Sequence, residues 1–148
     1  MTAGDLRAYA VSLLGRARGS ALVLGRDASA WQPALAAAGW SAPVDGSPVA
    51  AVVVTFVGEP AHAAARLERL AAAGARLAMG APLLLVDHNQ PRQWWRRVLA
   101  WIALGLRGLP PGRGRVLVAR QLDGAGFRVE CLRLAAGERL QLVVARRE

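Results

Sequence analysis

The sequence has only one cysteine and no lysine, and each fact limits what kind of protein this can be. Cys131 alone cannot build a disulfide framework within the chain, so we expect a protein of the reducing cytoplasm. All 19 basic residues are arginine against ten acidic ones, which gives a net charge of +9. We attribute the absence of lysine to a GC-rich genome. The positive excess fits a solvated arginine-rich surface, and it would also attract phosphates or anionic lipid headgroups.

Histidine and long apolar runs are also scarce. His62 and His88 are the only imidazoles, and no cysteine–histidine cluster accompanies them, so we expect no metal site. The apolar run at 98–106 is too short to span a bilayer. Asp5 and Arg7 interrupt the N-terminal apolar stretch, which predicts that no secretory signal is present. We therefore expect a cytoplasmic location, with any membrane contact peripheral.

Apolar residues are abundant enough to build a folded core. With 148 residues, of which 54% are hydrophobic, the length predicts one domain spanning 1–148. Three apolar segments are typical of buried strands, namely 20–25, 49–57 and 83–86. They alternate with helical patterns, so we predict an α/β fold in which a mostly parallel sheet lies between two layers of helices.

The last thirty residues follow a different pattern. Apolar and polar residues alternate over 127–131 and again over 139–144, on either side of a short turn at 135–138. Such period-two patterns predict an antiparallel hairpin. The apolar parity shifts between Cys131 and Leu132, which predicts a β-bulge there.

Capping signals and apolar periodicity predict the helices. Thr2 and Asp5 have the spacing of a capping box, and Gly19 would end the first helix; Ser29 and Gln32 form a second box before a helix that stops at Gly39. A third helix would start at Pro60, with an inner face of Leu67, Leu70, Gly74 and Leu77. Two further helices are predicted at 91–106 and 116–122.

The densest polar cluster is Asp87-His88-Asn89, directly after the third predicted strand. Open α/β sheets bind their ligands at the carboxyl ends of the strands. Histidine is a common general base and carboxylates orient substrates, so His88 or Asp87 could orient or deprotonate a substrate. Alternatively, Asp87 and Asn89 cap the following helix and His88 is an ordinary loop residue.

The segment 93–107 combines tryptophan and arginine on one predicted helix. Its broad apolar face comprises Trp94, Trp95, Val98, Leu99, Trp101, Ile102 and Leu106, with arginines largely opposite, and residues 88–122 contain seven arginines and no acid. The tryptophans could pack on the sheet as core, lie at the surface of an anionic membrane, or cover a hydrophobic substrate as a lid. Nucleic acid is not favoured, because the aromatic residues are not interleaved with the arginines.

From residue 49 onward, the order of these segments resembles the second half of the class I S-adenosylmethionine-dependent methyltransferases. Residues 45–47 (DGS) before AAVVVTFV resemble the entry to that family's fourth strand, and LLLVDHN at 83–89 resembles its fifth strand. Residues 125–147 resemble its last helix and closing antiparallel pair. The ending is most similar to small-molecule and quinone-type methyltransferases. The resemblance implies a shortened Rossmann-like methyltransferase fold, S-adenosylmethionine as cofactor and a small, hydrophobic methyl acceptor.

The first half departs from that family. Its cofactor loop has three spaced glycines, whereas here only Gly25 falls on a glycine position, and Arg26 and Asp27 place side chains there. The spacing to the second predicted strand is too short for the family's complete second and third strands. Asp45 is the only acid near the position of the family's ribose-binding carboxylate. The resemblance implies cofactor contacts at Gly25, Asp27, Asp45 and Thr55.

Two functions follow from these observations. The first is methyl transfer to a small acceptor, with His88 or Asp87 acting on that acceptor. The second is a non-catalytic relative, a pseudoenzyme that keeps the scaffold for binding. Its arginine- and tryptophan-rich helix at 92–107 would then contact a protein partner or an anionic membrane surface. A homodimer is a further partner that we consider.

Overall fold

A computed structural model of the protein describes residues 2–16, 19–59, 62–110 and 118–148. The helices are α1 (Ala3–Ser12), α2 (Gln32–Ala37), α3 (Ala63–Arg76), α4 (Trp94–Gly105) and α5 (Val118–Gly124). The strands are β1 (Ala21–Leu24), β2 (Ala51–Thr55), β3 (Pro82–His88), β4 (Phe127–Ala135) and β5 (Leu140–Arg147). A 3₁₀ turn, Ala28–Trp31, precedes α2.

The five strands form one mixed sheet in the order β1-β2-β3-β5-β4. β1, β2 and β3 are parallel, while β5 is antiparallel to both β3 and β4. The predicted α/β class, parallel core and C-terminal hairpin are therefore confirmed. β1 lies at an edge of the sheet, and beyond its start, where Ser20 bridges Ser41, no described strand pairs with its outer side.

Two apolar cores form on opposite faces of the sheet because successive side chains of a strand point to opposite sides. In β2 all five residues are buried. Val53 packs on one side with residues of α1 and α2, whereas Val52 and Val54 pack on the other side with residues of α3 and α5. The same alternation in β3 places Val86 in the first core and Leu85 in the second. The side chains at the carboxyl end of β3 therefore point alternately to the two faces of the sheet.

The first two helices differ from their predictions in one respect each. The Thr2–Asp5 capping box of α1 is confirmed, but the helix ends at Ser12 instead of continuing to Gly19. Gly15, with φ +82°, redirects the chain before that point. The predicted Ser29–Gln32 box is wrong, because no side chain in the described part of the chain caps the 3₁₀ turn or α2.

In α3 the predicted inner face is partly wrong. Leu70 and Leu77 are buried as expected, but Leu67 is 48% exposed and the adjacent Arg66 is buried in its place. Gly74 neither ends nor interrupts the helix, which continues to Arg76. The predicted helix start at Pro60 lies outside the described residues, as does the start of the fifth helix at position 116.

The terminal hairpin contains the expected irregularity two residues earlier than predicted. The register of β4 against β5 shifts between Val129 and Cys131, so Glu130 is the extra residue. Leu132 and Leu134, which follow the bulge, are exposed even though both are apolar.

Candidate functional site

A cavity of about 290 Å³ lies at the carboxyl ends of β1, β2 and β3. The segments that follow these strands supply Asp27, Val57 and Asn89 to its wall, and β3 itself supplies His88. Residues of α1, α4 and the β4–β5 turn complete the wall. Open α/β sheets bind ligands at this edge, so this cavity is the candidate functional site.

The cavity combines an apolar wall with a cationic rim. Trp31, Leu104 and Leu140 are among its apolar lining residues. Its charged lining residues are Arg7, Arg107 and Arg139 against one carboxylate, that of Asp27. A cleft with low-dielectric walls and an excess of one charge concentrates ligands of the opposite sign.

Gly25 and Thr55, both expected to contact a cofactor, contact each other. Gly25 has φ +153°, and a Cβ atom on it would lie 2.3 Å from Thr55 Cγ2 and 2.6 Å from the Thr55 carbonyl oxygen. Thr55 is itself buried within β2. This close approach of β1 to β2 explains why residue 25 is glycine without any ligand.

The loop after β1 is held by a carboxylate that sequence analysis did not single out. The Arg26 backbone N–H donates to Glu59 Oε1 at 2.6 Å, and Arg69 Nη2 donates to Glu59 Oε2 at 2.8 Å. Arg69 Nη1 also donates to the Thr55 carbonyl oxygen at 3.1 Å. The Glu59 carboxylate thus already accepts a hydrogen bond from the Arg26 N–H, in the loop where the resemblance implies cofactor binding. No sequence motif marks Glu59, because its contact with Arg26 spans 33 positions.

Asp27 is the predicted cofactor residue that the structure places in the cavity wall. Its Oδ2 atom lies 3.9 Å from Arg7 Nη2. Its Oδ1 atom is buried and has no hydrogen-bond partner among the described residues. Because buried polar atoms are nearly always hydrogen-bonded, this oxygen is a candidate acceptor for a donor group on a ligand.

Asp45 lies near the amino end of β2, at the opposite end of the strands from the cavity. It is exposed in the turn that precedes β2. Arg76, the last residue of α3, holds this turn by donating to the carbonyl oxygens of Val44 and Ser47. Since β2 runs from this turn towards the cavity, the structure does not bring Asp45 together with Asp27.

Asp87 is buried on the face of the sheet away from the cavity. Its Oδ2 accepts a hydrogen bond of 2.7 Å from Nη2 of the buried Arg66. Arg66 also donates to Gln121 of α5 and stacks on Phe56, with its guanidinium 4.0 Å from the ring centroid. Asp87 therefore neutralises a buried arginine, and its geometry does not place it on a ligand in the cavity.

His88 and Asn89 do lie at the cavity. The Nε2 atom of His88, which is 5% exposed, accepts a hydrogen bond of 3.2 Å from the Gly58 N–H. Asn89 Nδ2 donates to the Glu138 carbonyl oxygen at 2.8 Å and so ties β3 to the β4–β5 turn. The alternative that Asp87 and Asn89 cap the next helix is wrong, because Gln93 is the N-cap of α4 and neither Asp87 nor Asn89 makes a capping hydrogen bond to that helix.

The apolar face of α4 is exposed, which contradicts the interpretation of this helix as core. Trp94 is 74% exposed, and the large apolar side chains that share this outer face are Trp95, Val98, Leu99, Ile102 and Leu106, all more than 40% exposed. Ala100 and Leu104 are the buried residues of α4, and both line the cavity. The helix therefore forms a cavity wall on one side and an apolar surface on the other.

No described helix combines the length and apolar character needed to cross a membrane. Across 2–16, 19–59, 62–110 and 118–148, no three histidine, cysteine, aspartate or glutamate residues come together in a way that could hold a metal ion.

Comparison with known structures assigns the fold to the class I S-adenosylmethionine-dependent methyltransferase type. The pyocyanin biosynthetic protein PhzM superposes with a TM-score of 0.68 at 18% identity, over 99% of this chain and 56% of its own. Human N-acetylserotonin methyltransferase, solved in complex with S-adenosylmethionine, gives a TM-score of 0.66 at 14% identity, over 97% of this chain and 51% of its own. The resemblance found in the sequence is confirmed at the level of the fold.

The chain spans little more than half the length of PhzM and of the human enzyme. It does match nearly the whole of the N-methyltransferase NodS from Bradyrhizobium japonicum WM9, with 97% of this chain and 94% of that one aligned at a TM-score of 0.61 and 13% identity. No protein-family profile and no curated protein sequence matches the chain.

Proposed function

We propose that this chain binds S-adenosylmethionine at the loop after β1 and transfers its methyl group to a small, largely apolar acceptor in the cavity. The observation that carries the proposal is Asp27, which lines the cavity at the carboxyl ends of the strands, where this fold binds ligands, and whose buried Oδ1 atom has no hydrogen-bond partner among the described residues. A carboxylate oxygen suits a hydroxyl or ammonium donor, and S-adenosylmethionine carries both groups.

The cofactor would supply an activated methyl group, so the protein's own contribution is mainly positioning. Gly25 sets the path of the loop, and Asp27 would accept a donor group of the cofactor. His88 is the residue in the cavity wall that would orient or deprotonate the acceptor. For that role its Nε2 atom has to release the Gly58 N–H.

Two features limit how the ligands can be held. Glu59 already accepts from the Arg26 N–H, so a cofactor has to displace its carboxylate to use that donor. The cavity, at about 290 Å³, lies just below the roughly 300–1,000 Å³ typical of ligand pockets. Binding of cofactor and acceptor together therefore requires the wall to move.

The test is a calorimetric titration with S-adenosylmethionine and S-adenosylhomocysteine. We expect Asp27→Asn to weaken binding by about tenfold or more, because a hydrogen bond to a charged group is lost. Asp45→Asn removes a carboxylate charge at the other end of the strands and should leave the affinity for both compounds unchanged. If neither compound produces heat or a shift in melting temperature at millimolar concentration, the proposal is wrong.

Glu59→Ala tests the self-occupied loop. This variant frees the Arg26 N–H, so we expect S-adenosylmethionine to bind more tightly than to the unaltered chain. Unchanged affinity in a folded variant would show that the cofactor does not use this donor.

A second candidate function is non-catalytic docking on an anionic membrane surface, and the exposed apolar face of α4 favours it. Exposed tryptophans beside arginines suit the boundary between headgroups and acyl chains. Co-sedimentation with vesicles of phosphatidylserine and phosphatidylcholine should exceed that with phosphatidylcholine alone and should fall as salt rises.

A matched pair of variants tests the surface involved. Leu99→Ser on α4 should reduce sedimentation with the anionic vesicles, and Leu67→Ser, an exposed leucine of α3, should not. No binding to anionic vesicles at low salt would exclude this function.

A further inference from the structure

We infer that the cavity takes a small amphipathic carboxylate: an apolar ring or chain that bears one carboxylate and one hydroxyl group. This inference rests on the proposed function, because it names the chemical class of acceptor for the same cavity. It is carried by the distribution of charge, apolar surface and unpartnered oxygen around the cavity.

The charges favour an anion. Arg7, Arg107 and Arg139 line the cavity, and Asp27 is the only carboxylate among the described residues that line it. Asp27 meets Arg7 only at 3.9 Å, which leaves the other two guanidinium groups without a carboxylate partner among the described residues. Guanidinium groups bind carboxylates through paired, charge-assisted hydrogen bonds.

The body of the ligand has to be apolar. Trp31, which is buried, Leu104 and Leu140 face the same space as the arginines. A free inorganic anion would leave this apolar surface uncovered, whereas a carboxylate on an aromatic or aliphatic body would cover it.

The hydroxyl is assigned from Asp27. Its buried Oδ1 needs a donor and would repel the ligand's carboxylate. A hydroxyl elsewhere on the same molecule meets that need beside the cofactor's donor group, because a carboxylate oxygen has two acceptor sites. The hydroxyl oxygen could then take the methyl group, with its proton passing to His88 and S-adenosylhomocysteine as the leaving group.

The test uses three compounds of similar shape, titrated at one salt concentration: 6-hydroxy-2-naphthoate, its uncharged amide and 2-naphthoate. Binding is followed by NMR through the indole N–H resonance of Trp31, identified by its loss in Trp31→Phe. We expect the hydroxynaphthoate to bind about tenfold or more tightly than the amide, because only the anion gains charge-assisted hydrogen bonds. Removal of the hydroxyl should cost a smaller factor.

Variants connect this preference to the rim. Arg107→Gln and Arg139→Gln should weaken binding of the carboxylates and leave the amide unaffected. Arg128→Gln, an exposed arginine at the far end of β4, is the matched control and should change nothing.

The outcomes separate this inference from the proposed function. Equal affinity for hydroxynaphthoate and amide, or no shift of the Trp31 resonance with any of the three compounds, overturns the inference even if S-adenosylmethionine binds. A carboxylate preference that depends on Arg107 or Arg139 supports the ligand class, and a simultaneous failure of S-adenosylmethionine to bind removes methyl transfer alone.

Discussion

The two helices that flank β3 in the chain, α3 and α4, use charged and apolar residues in opposite ways. α3 buries Arg66 and leaves Leu67 about half exposed, whereas α4 buries Ala100 and Leu104 and exposes Trp94. Arg66 is buried because Asp87 of β3 neutralises it. The contrast teaches that the position of a residue on its helix and the partner that it meets decide burial, and that hydrophobicity alone does not.

The largest expected effect on stability comes from removing the ion-pair partner of Arg66. Asp87→Ala leaves a buried guanidinium without compensation, and we expect it to lower the free energy of unfolding by about 3–5 kcal/mol. Urea denaturation followed by circular dichroism would measure the change. Asp123→Ala, an exposed acid of α5, is the control.

The pair can also be replaced as a unit. Arg66→Met combined with Asp87→Leu should recover most of the lost stability, because apolar residues of similar volume often substitute for a buried ion pair. A cost below about 1 kcal/mol for Asp87→Ala would contradict the buried pairing, since a buried charge left unpaired costs several kcal/mol.

A second, smaller effect should distinguish the two sides of α4. Leu104→Ala removes a buried leucine and should cost about 2–3 kcal/mol, at the lower end for such substitutions. Leu99→Ala, on the exposed side of the same helix, should change stability by no more than about 0.5 kcal/mol. The same denaturation experiment measures both. Equal costs would mean that the outer face of α4 is covered.

The smallest effect concerns α1, whose capping box follows the sequence prediction. The backbone hydrogen bond at Thr2, supported by the Thr2 side chain, lowers the pKa of the exposed Asp5 carboxyl below its ordinary value. Because the folded pKa is lowered, the contribution to stability is present above the ordinary pKa and is lost as the pH falls through the folded one. Wild type and Asp5→Asn should therefore differ slightly at neutral pH and converge in acid. A difference that grows in acid would contradict this assignment.

The sequence predicts the sheet better than the helix faces. The strands were accessible because continuous apolar runs and period-two alternation are local patterns. The burial of Arg66 could not be predicted in this way, because it depends on the ion pair with Asp87, 21 positions away. The exposure of Trp94 was missed for a similar reason: periodicity identifies an apolar face without showing whether another element covers it.

In the candidate site, one error came from a strand boundary. The third strand was predicted to end at Val86, and it continues to His88. With that extension, strand alternation assigns Asp87 and His88 to opposite faces, so they cannot act on one ligand. Asp27 was predicted and lies in the cavity wall, whereas Glu59 could not be found without the fold.

The position of β1 at the edge of the sheet has a consequence for self-association. The Ser20 carbonyl oxygen accepts from the Ala50 N–H of the segment leading into β2, whereas the Ala21 N–H donates to the Ser41 carbonyl oxygen on the outer side. The backbone groups of alternate residues thus point to opposite sides of the strand. The backbone groups of Val23 therefore point outward, where no described residue hydrogen-bonds them. An open edge of this kind is a template onto which another extended chain can add. At four residues it offers only a short template, which limits how firmly one molecule could recruit the next.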